Sequence, residues 1–329
     1  MKYGIIGYGS WATALVSVIT QKHNINWWLP DKNFVEHIRK HKKNPKYLPD
    51  SLLNTEKIQF YPENPGKFTG DSDIIFVVVP SAYVDIHLQP FKEIPAFGQK
   101  LFISCVKGFE ITTNKIVSEY LTEVFNINPG NIAAIGGPAH AEEVIKQKET
   151  VVTLAFAGNK TFNSVAEELQ TPYFRVLTSN DIVGIEYAAI LKNIYAMTIG
   201  VLLGLGAGDN FIAMAVCSCL NEMEDILEQL HPVDLRTVIH SAYLGDFLVT
   251  AYSQHSRNRR FGLLVGQGNS VEQATQKLQM VAEGYFATKI LVDEYFGKHN
   301  LSFPIVNSLY DVLYKGAEPE IIIEILPRV

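Results

Sequence analysis

At 329 residues, 47% hydrophobic and 19% charged, the chain has the balance of an ordinary globular protein, which excludes a disordered chain or a bundle of membrane spans. A net charge of −6 and a pI near 5.9 supply no positive field for a polyanion, so no nucleic-acid partner is expected. The length exceeds what one core usually supports and points to two domains, while three cysteines without a CxxC pair, Cys105, Cys217 and Cys219, suit a reduced, cytoplasmic setting.

The first predicted element is a strand, Tyr3–Ile6, that runs into Gly7-Tyr8-Gly9-Ser10-Trp11-Ala12 and then a helix. This is the GxGxxG/A dinucleotide fingerprint with alanine in its third place. Gly7 permits the tight turn, Gly9 lets the backbone approach a pyrophosphate, and Ala12 lets helix and strand pack, while the helix N-terminus offers free N–H groups. The same glycines argue against reading the apolar Trp11–Ile19 stretch as a signal peptide. A second strand, Ile25–Leu29, leads to Asp31, about 22 residues beyond Gly9, where an acid holds the ribose 2′-hydroxyl in many such folds. No arginine stands beside it, and Lys32 is the neighbouring group suited to a 2′-phosphate. The expected cofactor is NAD or NADP, with the acid favouring NAD.

Further along, Ile74–Val79, Lys100–Val106, Asn131–Ile135 and Val151–Ala157 read as strands separated by helix-like stretches. Continuous apolar runs in this rhythm predict a mainly parallel sheet covered on both faces, a Rossmann-type doubly wound α/β domain. From about Ser179 the strand signals cease, and Ile182–Ala207, Phe211–Leu230, Val271–Ala282 and Tyr285–Phe296 carry helical periodicity. Residues 1–178 are therefore expected to form the dinucleotide-binding domain and residues 179–329 an all-helical domain. Ile182–Ala207 is long enough to span a bilayer, but Glu186, Lys192 and four internal glycines make it the buried core helix of a soluble domain.

Hydride transfer with such a nucleotide needs a proton donor and positive groups for charge developing on oxygen, and any phosphorylated ligand needs cationic or N–H donors. Lys192, mid-helix and flanked by Leu191 and Ile194, is the candidate general acid/base, since burial lowers a lysine pKa toward neutrality; a lysine snorkelling to the helix end is the alternative. Lys107 follows a strand at the carboxyl edge where ligands of open sheets sit, although an exposed loop lysine reads the same way. Ser256-Arg257-Asn258-Arg259-Arg260 is the densest positive cluster: Arg257 suits a bidentate phosphate fork and Asn258 can donate its amide, whereas Arg259 and Arg260 read as surface or hinge charges. A solvated charge run is the plain alternative. No CxxC or HExxH spacing occurs, and no metal is expected.

Blocks spread over almost the whole chain resemble the bacterial NAD(P)-dependent glycerol-3-phosphate dehydrogenases: Gly7 to Leu15 (the family's GxGxWGTAL), Asn44-Pro45-Lys46-Tyr47-Leu48-Pro49, Val79-Pro80-Ser81, and Ser104-Cys105-Val106-Lys107-Gly108. They continue in the family's order with Gly137-Pro138 followed by Ala141 and Glu143, Leu191-Lys192-Asn193, Gly245-Asp246, Ser256 to Gly262, and Glu283-Gly284. The resemblance implies a helical C-terminal domain for substrate binding and dimerisation, like that of 6-phosphogluconate dehydrogenase, interconversion of glycerol 3-phosphate and dihydroxyacetone phosphate, a homodimer, and a place in phospholipid synthesis. It assigns the chemistry to Lys192, Lys107 and Asp246, an acid that in its bland reading is a helix N-cap. It places Gly7, Gly9, Ser10, Trp11, Asp31, Lys107, Ala141, Arg257, Val281 and Glu283 at the cofactor. The substrate falls to Lys107, Gly137, Ala139, Lys192, Asn193, Asp246, Ser256, Arg257 and Asn258.

The match departs from the family in places. Tyr187-Ala188-Ala189-Ile190 replaces a glycine-containing stretch, His240 and Tyr243 stand where glycines are usual, Ala139 replaces a hydroxyl residue, and His140 an aromatic. Two other readings stay open: a related two-domain dehydrogenase acting on another hydroxy acid or sugar acid, and a cofactor-binding regulator without catalysis.

Overall fold

The computed structural model describes residues 1–234, 236–279 and 282–326. They divide into two compact units, Met1–Glu186 and Tyr187–Val329. The division falls inside the Ile182–Gly204 helix, a little beyond Ser179, because Glu186 still bonds into the first unit.

The first unit is built on one eight-stranded sheet in the order β3-β2-β1-β4-β5-β6-β7-β8. In chain order the strands are β1 (Tyr3–Ile6), β2 (Ile25–Trp28), β3 (Ile58–Tyr61), β4 (Ile74–Val77), β5 (Leu101–Ser104), β6 (Ile132–Gly136), β7 (Thr150–Phe156) and β8 (Phe174–Ser179). All neighbours run parallel except β6 and β7. Alternate residues feed opposite faces, so Ile5 lies in one core cluster and Ile6 in the other, as expected for strands covered on both sides. The sequence reading missed β3 and β8. Both are edge strands, and in β8 only Phe174 and Val176 are buried while Arg175 and Leu177 face out, so no continuous apolar run marks them.

The strand order reverses beside β1: the chain moves outward through β2 and β3, then returns to β4 on the other side. Ligands of open α/β sheets bind at such a switch point, outside the carboxyl ends of the strands. The fingerprint turn leaves β1 there.

The second unit is helical. Its principal helices are Asp209–Leu230, Asp246–Tyr252, Arg257–Gly266, Val271–Leu278, Glu283–Ile290 and Pro304–Tyr314, together with the body of Ile182–Gly204. The helix expected over Val271–Ala282 stops at Leu278, because Gln279 turns left-handed at φ 52° and its N–H bonds back to Thr275. The helix expected over Tyr285–Phe296 starts earlier, at Glu283, and passes into a π-helical stretch, Leu291–Phe296. Ile182–Gly204 is the long apolar helix that could pass for a membrane span, and 89% of its most apolar window is buried within the protein.

Candidate active site

In the first unit the fingerprint turn is a fitted piece of backbone. Gly7 has φ 120°, and a methyl group there would overlap the carbonyl oxygen of Val78 just past β4. Its own carbonyl accepts the indole N–H of Trp27 at 2.7 Å. Gly9 is the opposite case: it is the N-cap of Ser10–Ile19, offers no capping side chain, and a methyl group there would meet no protein atom within 4 Å. That open backbone, at a helix start with no acid in its first turn, fits a pyrophosphate held by backbone N–H groups and the helix dipole.

Asn44 braces this turn from beneath. Its fully buried amide donates to the Tyr8 carbonyl at 3.1 Å and to the Thr13 hydroxyl at 2.8 Å, while its oxygen accepts from the N–H groups of Lys46 and Tyr47. The sequence reading saw Asn44 only as the first letter of a block; the signal that could have identified it is Asn-Pro, a turn initiator.

Asp31 stands at the end of β2, as expected, but its carboxylate accepts from the Phe34 N–H at 3.1 Å and so caps the Lys32–His41 helix. Lys32 pairs with Glu63. Ser10 and Trp11 open the first helix, and Trp11 lies against the core with its ring 6.5 Å from Phe174. Burial pushes the Cys105 thiol up to about 12, which keeps it an unreactive packing group.

Lys107 and Gly137, both assigned to substrate, do meet: the Lys107 ammonium donates to the Gly137 carbonyl oxygen at 3.4 Å. Gly137 holds φ 120°, and a methyl group would press on the Val151 and Val152 backbone at 3.3 Å. Ala139 packs against the core, half-buried His140 precedes the short Ala141–Val144 helix, and Ala141 is buried. The His37 and His41 rings lie one helical turn apart, tilted at 38° with centres 4.4 Å apart, but no group of three or more potential metal ligands occurs among the described residues.

In the second unit Lys192 and Asp246, 54 residues apart in sequence, form an ion pair with both side chains buried. Asp246 begins the Asp246–Tyr252 helix directly after a π-helical turn, Ser241–Gly245, a distortion that recurs at functional sites. The cap reading of Asp246 gives way here: its carboxylate faces the lysine, and the residue ahead of the helix is Gly245. Tyr243 is buried and His240 exposed in that stretch, and Tyr187 packs edge-on against Tyr295 with ring centres 5.9 Å apart.

Three of the expected blocks converge beside this pair. The buried Asn258 side chain accepts from the Gly284 N–H at 2.9 Å, and a methyl group on Gly284 would sit 2.7 Å from the Asn193 carbonyl oxygen. Asn193, Asn258 and Gly284 thus share one corner, with Lys192, Arg257 and Glu283 each one residue away. Ser256 is buried as the N-cap of Arg257–Gly266, its hydroxyl accepting from the Arg259 N–H at 3.3 Å, and Arg257 is exposed in the first turn. Asn258 is therefore partly spent on structure; its amide N–H groups are the end suited to a ligand. Val281 lies outside the described residues.

A sheet of this order with this fingerprint is the mark of dinucleotide-dependent dehydrogenases, and a buried amine against a carboxylate is the kind of proton-handling group their chemistry needs. Relatives narrow the class. The N-terminal family description, "NAD-dependent glycerol-3-phosphate dehydrogenase N-terminus", matches residues 2–162 and the corresponding C-terminus residues 181–324. A glycerol-3-phosphate dehydrogenase [NAD(P)+] of Chlorobium limicola is 32% identical over 96% of this chain and 94% of its own. That of Clostridium botulinum is 34% identical over 98% and 96%. The crystal structure of glycerol-3-phosphate dehydrogenase from Coxiella burnetii superposes with a TM-score of 0.87 at 27% identity, covering 99% of this chain and 98% of that one. The chain belongs to the NAD-dependent glycerol-3-phosphate dehydrogenase family.

Proposed function

We propose that the Lys192–Asp246 pair is the proton-handling centre of an enzyme that interconverts sn-glycerol 3-phosphate and dihydroxyacetone phosphate. The activity follows from membership of the family; the observation that carries the residue-level reading is this buried ion pair. NAD or NADP, held at Gly7, Gly9, Ser10 and the start of the first helix, supplies or removes the hydride when bound. In the direction of reduction the Lys192 ammonium gives a proton to the oxygen forming at the central carbon, and in oxidation its amine takes that proton back. Asp246 offsets the cost of burying the ammonium and aims it. Arg257 and Asn258 hold the phosphate dianion by charge-assisted donors, Asn193 and Ser256 stand next to them, and the family resemblance assigns Lys107, Gly137 and Ala139 to the substrate as well. The family resemblance assigns Trp11, Asp31, Ala141, Val281 and Glu283 to the cofactor as well, Val281 lying outside the described residues.

NAD is the favoured nucleotide, because an acid ends β2 and Lys32 is engaged by Glu63. A homodimer formed through the helical unit, a cytoplasmic location and a role in supplying glycerol 3-phosphate for phospholipids fit the family. Purified protein is expected to oxidise NADH, and NADPH with a higher KM, only when dihydroxyacetone phosphate is added. Lys192→Ala should lower kcat by about a hundredfold or more with nucleotide binding retained. A fully active Lys192→Ala enzyme would remove the lysine from the mechanism, and tight nucleotide binding without turnover by the wild type would favour the regulator.

A further inference from the structure

We propose that four glycines lock the register between the Lys192 helix and the Arg257 helix, and that this lock sets the carbonyl-to-phosphate span the enzyme accepts. The inference rests on the reading that Lys192 serves the carbonyl and Arg257 with Asn258 the phosphate.

The Ile182–Gly204 and Arg257–Gly266 helices touch backbone to backbone. A methyl group at Gly262 would overlap the Met197 carbonyl oxygen, and one at Gly266 the Val201 carbonyl oxygen. From the other side, a methyl at Gly200 would overlap the carbonyl of Arg259 and one at Gly204 that of Leu263. Backbone nitrogens lie close behind these oxygens: Val201 N is 2.9 Å from the Gly262 methyl position and Leu263 N 2.9 Å from that of Gly200. Helices with larger side chains at the contact keep their axes roughly 8–10 Å apart; here small residues alone permit the approach, as where GxxxG helices pair.

The pairs advance together. Met197 faces Gly262 and Val201 faces Gly266, four residues further along both helices. One such step back toward the N-termini stand Asn193 and Asn258, and these are the two residues that meet at Gly284. The ladder thus continues without a break into the site, and Lys192 and Arg257 are held in the same register one residue before it. A slide of one or two residues would set a side chain against backbone at both rungs, and a slide of a full turn, about 5.4 Å, that carries Gly262 to the Val201 carbonyl would set Asn258 against the Met197 carbonyl. The spacing between the proton donor and the phosphate clamp is then a property of two rigid helices and does not adapt to the ligand. The glycines are positioning residues: none touches substrate.

A wild-type measurement tests this without any variant. The homologue of dihydroxyacetone phosphate with one more methylene between carbonyl and phosphate, 4-hydroxy-3-oxobutyl phosphate, is assayed beside dihydroxyacetone phosphate and unphosphorylated dihydroxyacetone. A fixed span predicts that kcat/KM for the homologue falls about a hundredfold below that for dihydroxyacetone phosphate, the usual result of ångström-scale misplacement. A homologue within about fivefold would overturn the lock. Gly262→Ala, with Gly204→Ala as the less crowded rung should the first not fold, is expected to lose about tenfold or more on dihydroxyacetone phosphate while dihydroxyacetone is turned over within about twofold of wild type. Equal losses on both substrates would reduce the ladder to a folding element. Arg257→Ala separates the premise from the inference: if it keeps the wild-type preference for the phosphorylated substrate, the phosphate assignment fails whatever the ladder does.

Discussion

Gly7 and Gly9 stand two positions apart in one turn, yet a methyl group meets opposite fates at each. At Gly7 it would strike the Val78 backbone in a conformation, φ 120°, that side chains rarely adopt. At Gly9 it would point into open space from an ordinary φ of −70°. Gly7→Ala is therefore expected to cost about 2–4 kcal/mol of stability through backbone strain and displacement. Gly9→Ala should stay within about 0.5 kcal/mol of wild type and instead raise the Kd for NADH, because the methyl fills the cradle the pyrophosphate needs. Urea unfolding and fluorescence titration with NADH check the pair; similar stability loss in both variants would mean that the cradle is protein-supported and not ligand space.

Helix Pro304–Tyr314 shows how an element depends on a residue far from it in sequence. Its own N-cap, Phe303, provides no side-chain acceptor, so the first-turn N–H groups of Ile305 and Val306 bond to the buried carboxylate of Glu222 at 2.6 and 3.0 Å. The same carboxylate accepts the Tyr195 hydroxyl at 3.3 Å, one turn along the helix from Lys192. Glu222→Ala leaves two buried N–H groups without an acceptor and should lower stability by about 2–4 kcal/mol, with hydrogen-exchange protection lost first in residues 305–314. An unchanged melting temperature would show that water or another group takes over the cap. In the sequence Glu222 is an ordinary helical glutamate, since nothing local marks it as the cap of a helix more than eighty residues away.

At the scale of the whole molecule, two buried carboxylates couple stability to pH. Burial raises Glu186 to about 7, against the pull of its bonds from the Ser118 hydroxyl and N–H, and burial likewise raises Glu222 to about 7. Both lie above the ordinary 4.5, so the folded protein retains protons that the unfolded chain releases. Their contribution is most favourable below about pH 4.5 and is lost progressively as pH rises through 7. Glu186→Gln removes one titration while keeping an acceptor for Ser118. Its stability relative to wild type should therefore grow between pH 5 and pH 8, by on the order of 2–3 kcal/mol, as measured by urea midpoints. A constant difference across that range would mean that Glu186 is ionised throughout.

Much of this protein was legible along the chain. The glycine turn, the central strands and the apolar Lys192 helix are local patterns, because backbone conformation and hydrophobic period are properties of neighbouring residues. The sheet edges were not, since β3 is only four residues long and interrupted by Gln59, and β8 buries only Phe174 and Val176. Nor were the particular partners. Lys192 could be marked as a lysine in an uncharged helix, but only tertiary packing sets Asp246 against it. Likewise Asp31, Ser256 and Asn258 each pair with a backbone N–H that their residue type permits but does not dictate. The sequence alone determined which chemical groups exist and what local backbone they prefer. Only the folded structure decided which of them meet, because packing two helices at glycine contact brings residues 65 positions apart, such as Asn193 and Asn258, to one corner.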